Sequence, residues 1–244
     1  MEKQFIEFCK NGNLKGAKEF LRLNPNINIS YDDDYAFRYA CEYGDLEVAK
    51  WLLSVKPDIN ISALNDYAFR YACYNEKFDV AKWLLQVKPD INISAKNEFA
   101  FRYACFNKNL ELAKWLLQVK PDINISISNE ELFRNACING DLEVAKWLYS
   151  VKPDINISVE NEEAFRGACI NEELEVAMWL QSLKPYLYLI EYDEDVEYID
   201  FKIREKSEVN WEKRKITLHL AFQEKTNILY HLPVDIVKVV TQFI

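Results

Sequence analysis

A spacing of 32 residues recurs through most of this chain and constrains its fold more than any other feature. Cysteine and tryptophan both return at that interval. The cysteines are Cys9, Cys41, Cys73, Cys105, Cys137 and Cys169. The tryptophans are Trp51, Trp83, Trp115, Trp147 and Trp179. A constant period of this length indicates tandem copies of one supersecondary unit, each of which buries its apolar side against its neighbours.

The cysteine spacing argues against disulfides and against a zinc site. Equivalent residues of stacked helical repeats lie about 8–10 Å apart, whereas a disulfide requires Cα atoms within about 7 Å. A zinc site is built from closely spaced ligand pairs, and the sequence contains no C-x-x-C. We therefore predict that the cysteines are buried free thiols, which a reducing cytoplasm would preserve.

One copy of the repeat, residues 67–94, shows the expected local structure. Phe69, Ala72 and Cys73 have the spacing of the apolar face of a short first helix. A polar turn and a second helix follow, and Pro89 predicts that the second helix ends before it. The Asp-Ile-Asn-Ile-Ser stretch after the proline alternates apolar with polar residues, which favours an extended loop. In the polar residues that lead into the next helix, an Asn or Asp is expected to cap that helix.

These residues resemble the ankyrin repeat. Its signature T-P-L-H-x-A-A aligns with Tyr-Ala-Phe-Arg-Tyr-Ala-Cys at 67–73, and its later signatures align with 76–85 and 88–92. The resemblance covers about residues 1–185, although the unit is one residue shorter than the usual length of about 33. It implies an all-α ankyrin-repeat solenoid of helix-turn-helix units that binds another protein. The F-R-x-A-C and A-K-W-L patterns resemble the ankyrin arrays of large DNA viruses of amoebae, which implies the cytoplasm of a host cell.

The repeat pattern predicts the domain organisation. Residues 1–30 form an N-terminal capping repeat, residues 31–185 the ankyrin array and residues 186–244 a divergent C-terminal cap. Glu19 stands where later repeats have tryptophan, so we predict that each tryptophan packs back toward the second helix of the preceding repeat. Within the cap, residues 195–221 are expected to be a degenerate helical unit, although alternating apolar residues leave a strand open.

The last residues resemble the opening of an F-box, in the short form that ends poxviral ankyrin proteins. Pro233 fits the first turn of a helix over residues 232–244. The residues that would contact a Skp1-type ubiquitin-ligase adaptor are Leu232, Pro233, Ile236, Val240 and Phe243. The alternative is a passive binder or decoy, in which this helix only seals the end of the repeat stack. A SOCS-type box fits less well, because Phe222 stands where that motif has cysteine.

The predicted partner surface consists of the concave face, the turns between helices and the finger tips, where the repeats differ most. The turn residues are Tyr43, Asn75, Asn107 and Asn139. The tip residues are Asp34, Asp66, Glu98, Glu130 and Glu162. Acidic tips favour a basic partner surface. A ladder of arginines follows the same period but is expected to brace the repeats internally. Its members are Arg38, Arg70, Arg102, Arg134 and Arg166.

Several other classes of function find no support in the sequence. The formal net charge of −9 disfavours a nucleic-acid partner, because binding to phosphates requires clustered cations. No apolar run approaches the roughly 18 residues that would span a membrane. The sequence contains no phosphate-binding glycine loop and no nucleophile motif, and its two histidines, His219 and His231, are isolated. We therefore expect no enzyme activity, no cofactor and no metal site.

Overall fold

Helices in consecutive pairs make up the first 184 residues. The structure, a computed structural model, describes residues 1–184 in full and, beyond them, the backbone of three strands. The first six helices are α1 (Glu2–Lys10), α2 (Leu14–Leu23), α3 (Tyr31–Tyr43), α4 (Leu46–Val55), α5 (Ala63–Tyr74) and α6 (Phe78–Val87). The next six are α7 (Ala95–Phe106), α8 (Leu110–Val119), α9 (Ile127–Ile138), α10 (Leu142–Val151), α11 (Val159–Ile170) and α12 (Leu174–Leu183). Each pair is one repeat, so the array has the all-α repeat-solenoid fold that the sequence predicts.

The core is formed by the same few residues of every repeat. In the third repeat Phe69, Ala72 and Cys73 of the first helix are buried, as are Ala81 and Leu84 of the second. All six cysteines are buried and free, as predicted. Each second helix ends at a valine or leucine two residues before a proline, because the helical conformation is disfavoured for the residue that precedes a proline.

The tryptophans pack toward the preceding repeat, but their regular ring partner lies on its first helix and not on the predicted second helix. The Trp51 ring lies 6.2 Å from Phe5 of α1, and the Trp83 ring lies 6.3 Å from Phe37 of α3. The expected contact with the preceding second helix is present at Trp115, whose ring stands edge-on to Phe78 of α6 at 5.0 Å. The regular partner is therefore the phenylalanine of the preceding first helix. Glu19, which has no preceding repeat to cover, is exposed and paired with Arg22 at 2.7 Å.

A left-handed turn at the start of the first helices was not anticipated. Its three residues have φ between 50° and 61° in each of the second to sixth repeats. These residues are 32–34, 64–66, 96–98, 128–130 and 160–162. A left-handed residue other than glycine costs roughly 1–2 kcal/mol, so three in succession require strong local support. The expectation of a simple Asn or Asp cap at this position is wrong.

Arginines supply part of that support. Arg38 Nε donates to the carbonyl of Asp33 at 2.7 Å, and its Nη2 donates to the carbonyl of Asp32 at 2.8 Å. Arg70 and Arg134 make the equivalent pairs of hydrogen bonds in their own repeats. The predicted internal role of the arginine ladder is confirmed at these three positions. The guanidinium group suits it because one planar fork carries several donors.

The chain forms two compact units, Met1–Ala164 and Phe165–Ile244, which divide within α11. The second contains β1 (Tyr188–Asp193), β2 (Tyr198–Ile203) and β3 (Ile216–Leu218), an antiparallel sheet in the order β1-β2-β3. Tyr188 pairs with Ile203 and Ile199 pairs with Leu218. The prediction of helix over 195–221 is therefore wrong at β2 and β3. The alternation of apolar with polar residues at 199–203 is the period-two pattern of a strand, and it decides the local structure there.

Candidate functional site

A continuous group of aromatic side chains covers one face of the first helices of the second, third and fourth repeats. Each of α3, α5 and α7 carries three rings spaced by three or four residues, which places them on one side of the helix. We call this group the aromatic face. It consists of Tyr35, Tyr39, Tyr43, Tyr67, Tyr71, Tyr74, Phe99, Tyr103 and Phe106.

The rings of the aromatic face contact one another both within and between repeats. Within repeats, Tyr35 stacks on Tyr39 with ring centroids 4.0 Å apart, and Tyr67 stacks on Tyr71 at 4.1 Å. Between repeats, Tyr39 and Tyr67 are 6.0 Å apart. Aromatic pairs attract each other at centroid separations of about 4.5–7 Å. The pair between repeats lies in this range, and the two stacked pairs within repeats are slightly closer. The face is thus held rigid by its own contacts.

Part of the aromatic face remains open to solvent. Tyr43 is 46% exposed, Tyr74 38% and Phe106 58%, although each has an aromatic or cationic neighbour. Lys10 of the first repeat lies over the rings of Tyr39 and Tyr43, so the N-terminal edge of the face is positively charged. Exposed rings that are already ordered lose little entropy when a partner covers them.

The tyrosine hydroxyl groups on this face are also held in place. Tyr67 donates its hydroxyl hydrogen to Glu42 Oε2 at 2.7 Å. Burial, followed by the hydrogen bonds to Glu42 and Tyr39, raises the pKa of Tyr67. The hydrogen bond with Tyr39 likewise raises the pKa of Tyr35 to about 12. Both phenols therefore stay protonated and uncharged at neutral pH.

The aromatic face ends at the fifth repeat, where a cleft opens between α7 and α9. Glu131 and Asn135 of α9 occupy the places that aromatic residues hold in the preceding repeats. The cleft has a volume of about 390 Å³ and lies beside Tyr103 and Phe106. Arg102 Nη2 is 2.6 Å from Glu131 Oε1 and bridges the cleft from one helix to the next.

The acidic residues predicted at the finger tips lie elsewhere. Asp34 and Asp66 are each 6% exposed, and both accept a hydrogen bond from a backbone N–H of the loop that follows the second helix of the same repeat. Glu98 and Glu130 are buried as well, and Glu162 is partly buried. Their expected location at exposed tips is wrong because each belongs to the left-handed turn, which directs this side chain inward. The Asp34 and Asp66 carboxylates therefore tie the start of the first helix to the loop after the second helix.

The predicted turn residues have mixed positions. Tyr43 belongs to the aromatic face. The side-chain amides of Asn75 and Asn107 donate to the carbonyls of Glu42 and Tyr74 in the preceding repeat, at 3.2 and 3.1 Å. Asn139 is exposed and lines the cleft. Sequence reasoning found Tyr43 but missed the other rings, although their signal was visible: tyrosine or phenylalanine at fixed places in three repeats, replaced by Glu131 and Asn135 in the next.

Other predicted features fall outside this region. The adaptor-binding residues at 232–244 and both histidines lie beyond the described residues. Among residues 1–184, no group of three or more His, Cys, Asp or Glu side chains could hold a metal ion. Helices long and apolar enough to cross a membrane do not occur in the described part of the chain.

Comparisons with known proteins agree with the helical architecture. A family model described as "Ankyrin repeats (many copies)" matches residues 37–85, 69–117 and 101–149. No curated protein matches the chain. Among solved structures, an ankyrin repeat family protein from Legionella pneumophila is similar, with 20% sequence identity and a TM-score of 0.43. The match covers 74% of this chain and 71% of that one.

Proposed function

Because residues 37–149 are tandem ankyrin repeats, which generally serve as protein–protein interaction modules, we propose that this chain binds a partner protein through its aromatic face. The observation that carries the proposal is a cluster of rings, partly exposed and mutually ordered, on three consecutive first helices. The proposal keeps Tyr43 from the predicted turn residues. It replaces the acidic tips, which are buried, with the aromatic residues.

The chemistry of the face suits a protein partner. Tyrosine, phenylalanine and arginine are enriched at protein interfaces, and a small number of aromatic residues usually contribute most of the binding free energy. Contiguous exposed apolar patches are uncommon on monomeric proteins and mark sites of interaction. Here the patch is supported by a helical frame that repeats beneath it, so that differences between repeats can select one partner.

A comparison of two triple variants tests this proposal. The first replaces Tyr43, Tyr74 and Phe106 with serine. The matched control replaces Val55, Val87 and Val119 with serine, since these valines are 41–45% exposed and lie at the ends of the second helices of the same repeats. Each tagged chain is captured from cells and its associated proteins are quantified by mass spectrometry.

We expect at least one protein to be captured by the wild type and by the valine variant but reduced more than tenfold with the aromatic variant. Thermal unfolding of all three chains controls for loss of folding. If every captured protein is retained by the aromatic variant, the aromatic face is not the binding surface.

A further part of the proposal concerns the C-terminal segment. We propose that residues 232–244 bring the bound partner to a ubiquitin ligase by binding a Skp1-type adaptor, on the basis of the F-box-like sequence from Leu232 to Phe243. The alternative is that the segment only seals the stack, which would make the chain a passive binder or decoy. Purified adaptor is mixed with the full chain and with a chain ending at Tyr230. Binding to the full chain alone supports recruitment, and binding to neither chain leaves the decoy.

The cellular location is proposed on similar grounds. The repeat pattern resembles that of large DNA viruses of amoebae, and six buried cysteines remain free thiols. Both features support a location in the cytoplasm of a host cell, where thiols stay reduced. Imaging of the tagged chain in such a cell would test it, and a signal confined to an oxidising compartment would exclude it.

A further inference from the structure

The cleft at the end of the aromatic face lies where the fifth repeat has polar residues at positions that are aromatic in the preceding repeats. It is lined on one side by Tyr74, Tyr103 and Phe106 and on the other by Glu131 and Asn135. Its volume of about 390 Å³ is near the lower end of the roughly 300–1,000 Å³ typical of ligand pockets. A single large side chain with its adjoining backbone fits a space of this size.

The preceding repeats show what normally occupies this position. The ring of Tyr67 lies 6.0 Å from Tyr39 of the repeat before it, and the ring of Phe99 lies 5.4 Å from Tyr71. The equivalent neighbour of Tyr103 is Glu131, so no ring of residues 1–184 approaches Tyr103 from the fifth repeat. The cleft is therefore the place where the regular pattern would put one more ring.

The arginine ladder leads to the same position independently. The guanidinium of Arg38 lies 4.8 Å from the ring of Tyr67, and that of Arg70 lies 5.0 Å from the ring of Phe99. Arg102, which lines the cleft, has no ring beneath it within the described part of the chain. Its side chain turns to Glu131 instead, and its buried Nε has no hydrogen-bond partner among those residues.

We propose that the cleft receives an aromatic side chain from the partner protein, which packs against Tyr103 and beneath Arg102. This inference rests on the proposed function and names the group that the face recognises. A ring in this position gains an aromatic contact with Tyr103 and a cation–π contact with Arg102, beyond the burial of its own surface. Asn135 and Asn139 at the rim offer amide groups to the adjoining backbone.

The charges around the cleft favour a ring over a basic side chain. Glu131 is already paired with Arg102, and the buried Asp141 is paired with Lys108. A lysine or arginine from the partner would therefore compete with cations that belong to the chain itself. A neutral ring leaves both ion pairs intact and presents its negative face to the guanidinium.

Substitutions at Glu131 provide the test. Glu131→Phe places a ring in the cleft from within, as Phe99 does in the preceding repeat, and should fold for the same reason. Glu143→Phe adds the same ring at an exposed position of α10 that does not line the cleft, and so serves as the matched control. A displayed library of random peptides is selected on the wild-type chain after depletion on Glu131→Phe. The enriched peptides are sequenced, and the Kd of one of them is measured for all three chains.

We expect the enriched peptides to share one aromatic residue. They should bind Glu143→Phe within threefold of the wild type and Glu131→Phe at least tenfold more weakly, and replacing the shared residue by leucine should weaken binding to a similar extent. Peptides that share a basic or aliphatic residue, peptides that bind Glu131→Phe equally well, or no enrichment would each overturn the inference. A captured protein that depends on Tyr43 and Tyr74 but ignores Glu131→Phe would leave the proposed function standing and remove this inference alone.

Discussion

At the scale of single residues, the turn between the two helices of a repeat requires a left-handed backbone conformation, and some repeats place a residue other than glycine there. This turn has a left-handed residue in every repeat. Three repeats use glycine, Gly12, Gly44 and Gly140, with φ of 65°, 89° and 72°. The third repeat has Glu76 at φ 58° instead, which places a side chain in a conformation that disfavours it.

Replacing Glu76 with glycine should therefore stabilise the protein. We expect the free energy of unfolding to rise by about 1 kcal/mol, because the strain of a left-handed side chain is removed and only part of that gain is lost to the greater freedom of glycine in the unfolded chain. Urea unfolding measures the change. Glu76→Ala, which retains a Cβ, is the control and should gain nothing. A loss of stability in Glu76→Gly would show that the glutamate side chain contributes an interaction there.

The buried cysteines should make the fold sensitive to alkali. Burial raises the pKa of Cys9 and Cys105 to about 12 and raises those of the other four cysteines as well. Thiols of the unfolded chain ionise at about pH 8.5, so the unfolded state loses protons first as the pH rises. The buried thiols therefore contribute fully to the free energy of unfolding below about pH 8. Above that pH the free energy of unfolding falls by up to about 1.4 kcal/mol per pH unit for each thiol.

Unfolding measured from pH 7 to 10 should show this decline, and Cys105→Ala should make it shallower by about 1.4 kcal/mol per pH unit. The six thiols should also resist Ellman's reagent until the chain unfolds. A decline that is the same in wild type and Cys105→Ala, or rapid labelling of the native protein, would show that the thiols are accessible.

At the scale of elements, the helices were predictable and the segments that join them were not. Apolar residues at helical spacing and the Lys-Pro pairs indicate where both helices of each repeat lie and where the second one ends. The left-handed turns escaped prediction because Asp, Asn, Leu, Lys, Ser and Glu do not favour three such residues in succession. The turn is held by the arginine that follows it and by a backbone amide 26 residues further along the chain, after the second helix, and a local pattern does not show those contacts.

The buried carboxylate of each turn is the contact between the first helix and the following loop that we expect to matter most. Asp66 Oδ2 accepts a hydrogen bond from the backbone N–H of Asn92 at 3.3 Å, and Asp66 is only 6% exposed. Asp66→Ala should lower the free energy of unfolding by about 1.5–3 kcal/mol, since it removes the carboxylate that accepts this hydrogen bond.

The control is Asp58→Ala. The Asp58 side chain is 80% exposed and is paired with Lys56, so its loss should change the free energy of unfolding far less than the loss of Asp66. Equal effects of the two substitutions in chemical unfolding would mean that the Asp66 carboxylate does not stabilise the contact between the first helix and the loop after the second.

At the scale of the whole molecule, the surface of the first helices changes character from repeat to repeat while the frame beneath it stays constant. Lys10 lies at one edge of the aromatic face, and Glu131 and the cleft lie at the other. The sequence shows these substitutions but not their consequences. A tyrosine at this spacing is equally consistent with a core position, and only the packing of the first helices shows which rings remain exposed. The function of the C-terminal segment likewise depends on residues beyond the described structure.

The central claim is that a partner protein covers the aromatic face, and site-specific photocrosslinking tests it most directly. The photoreactive residue p-benzoylphenylalanine replaces Phe106 in one chain and Val119, which ends the second helix of the same repeat, in another. Both positions are exposed, at 58% and 45%. On illumination in cells, we expect a discrete protein adduct from position 106 and none from position 119. Adducts from position 119 alone, or from neither position, would contradict the account.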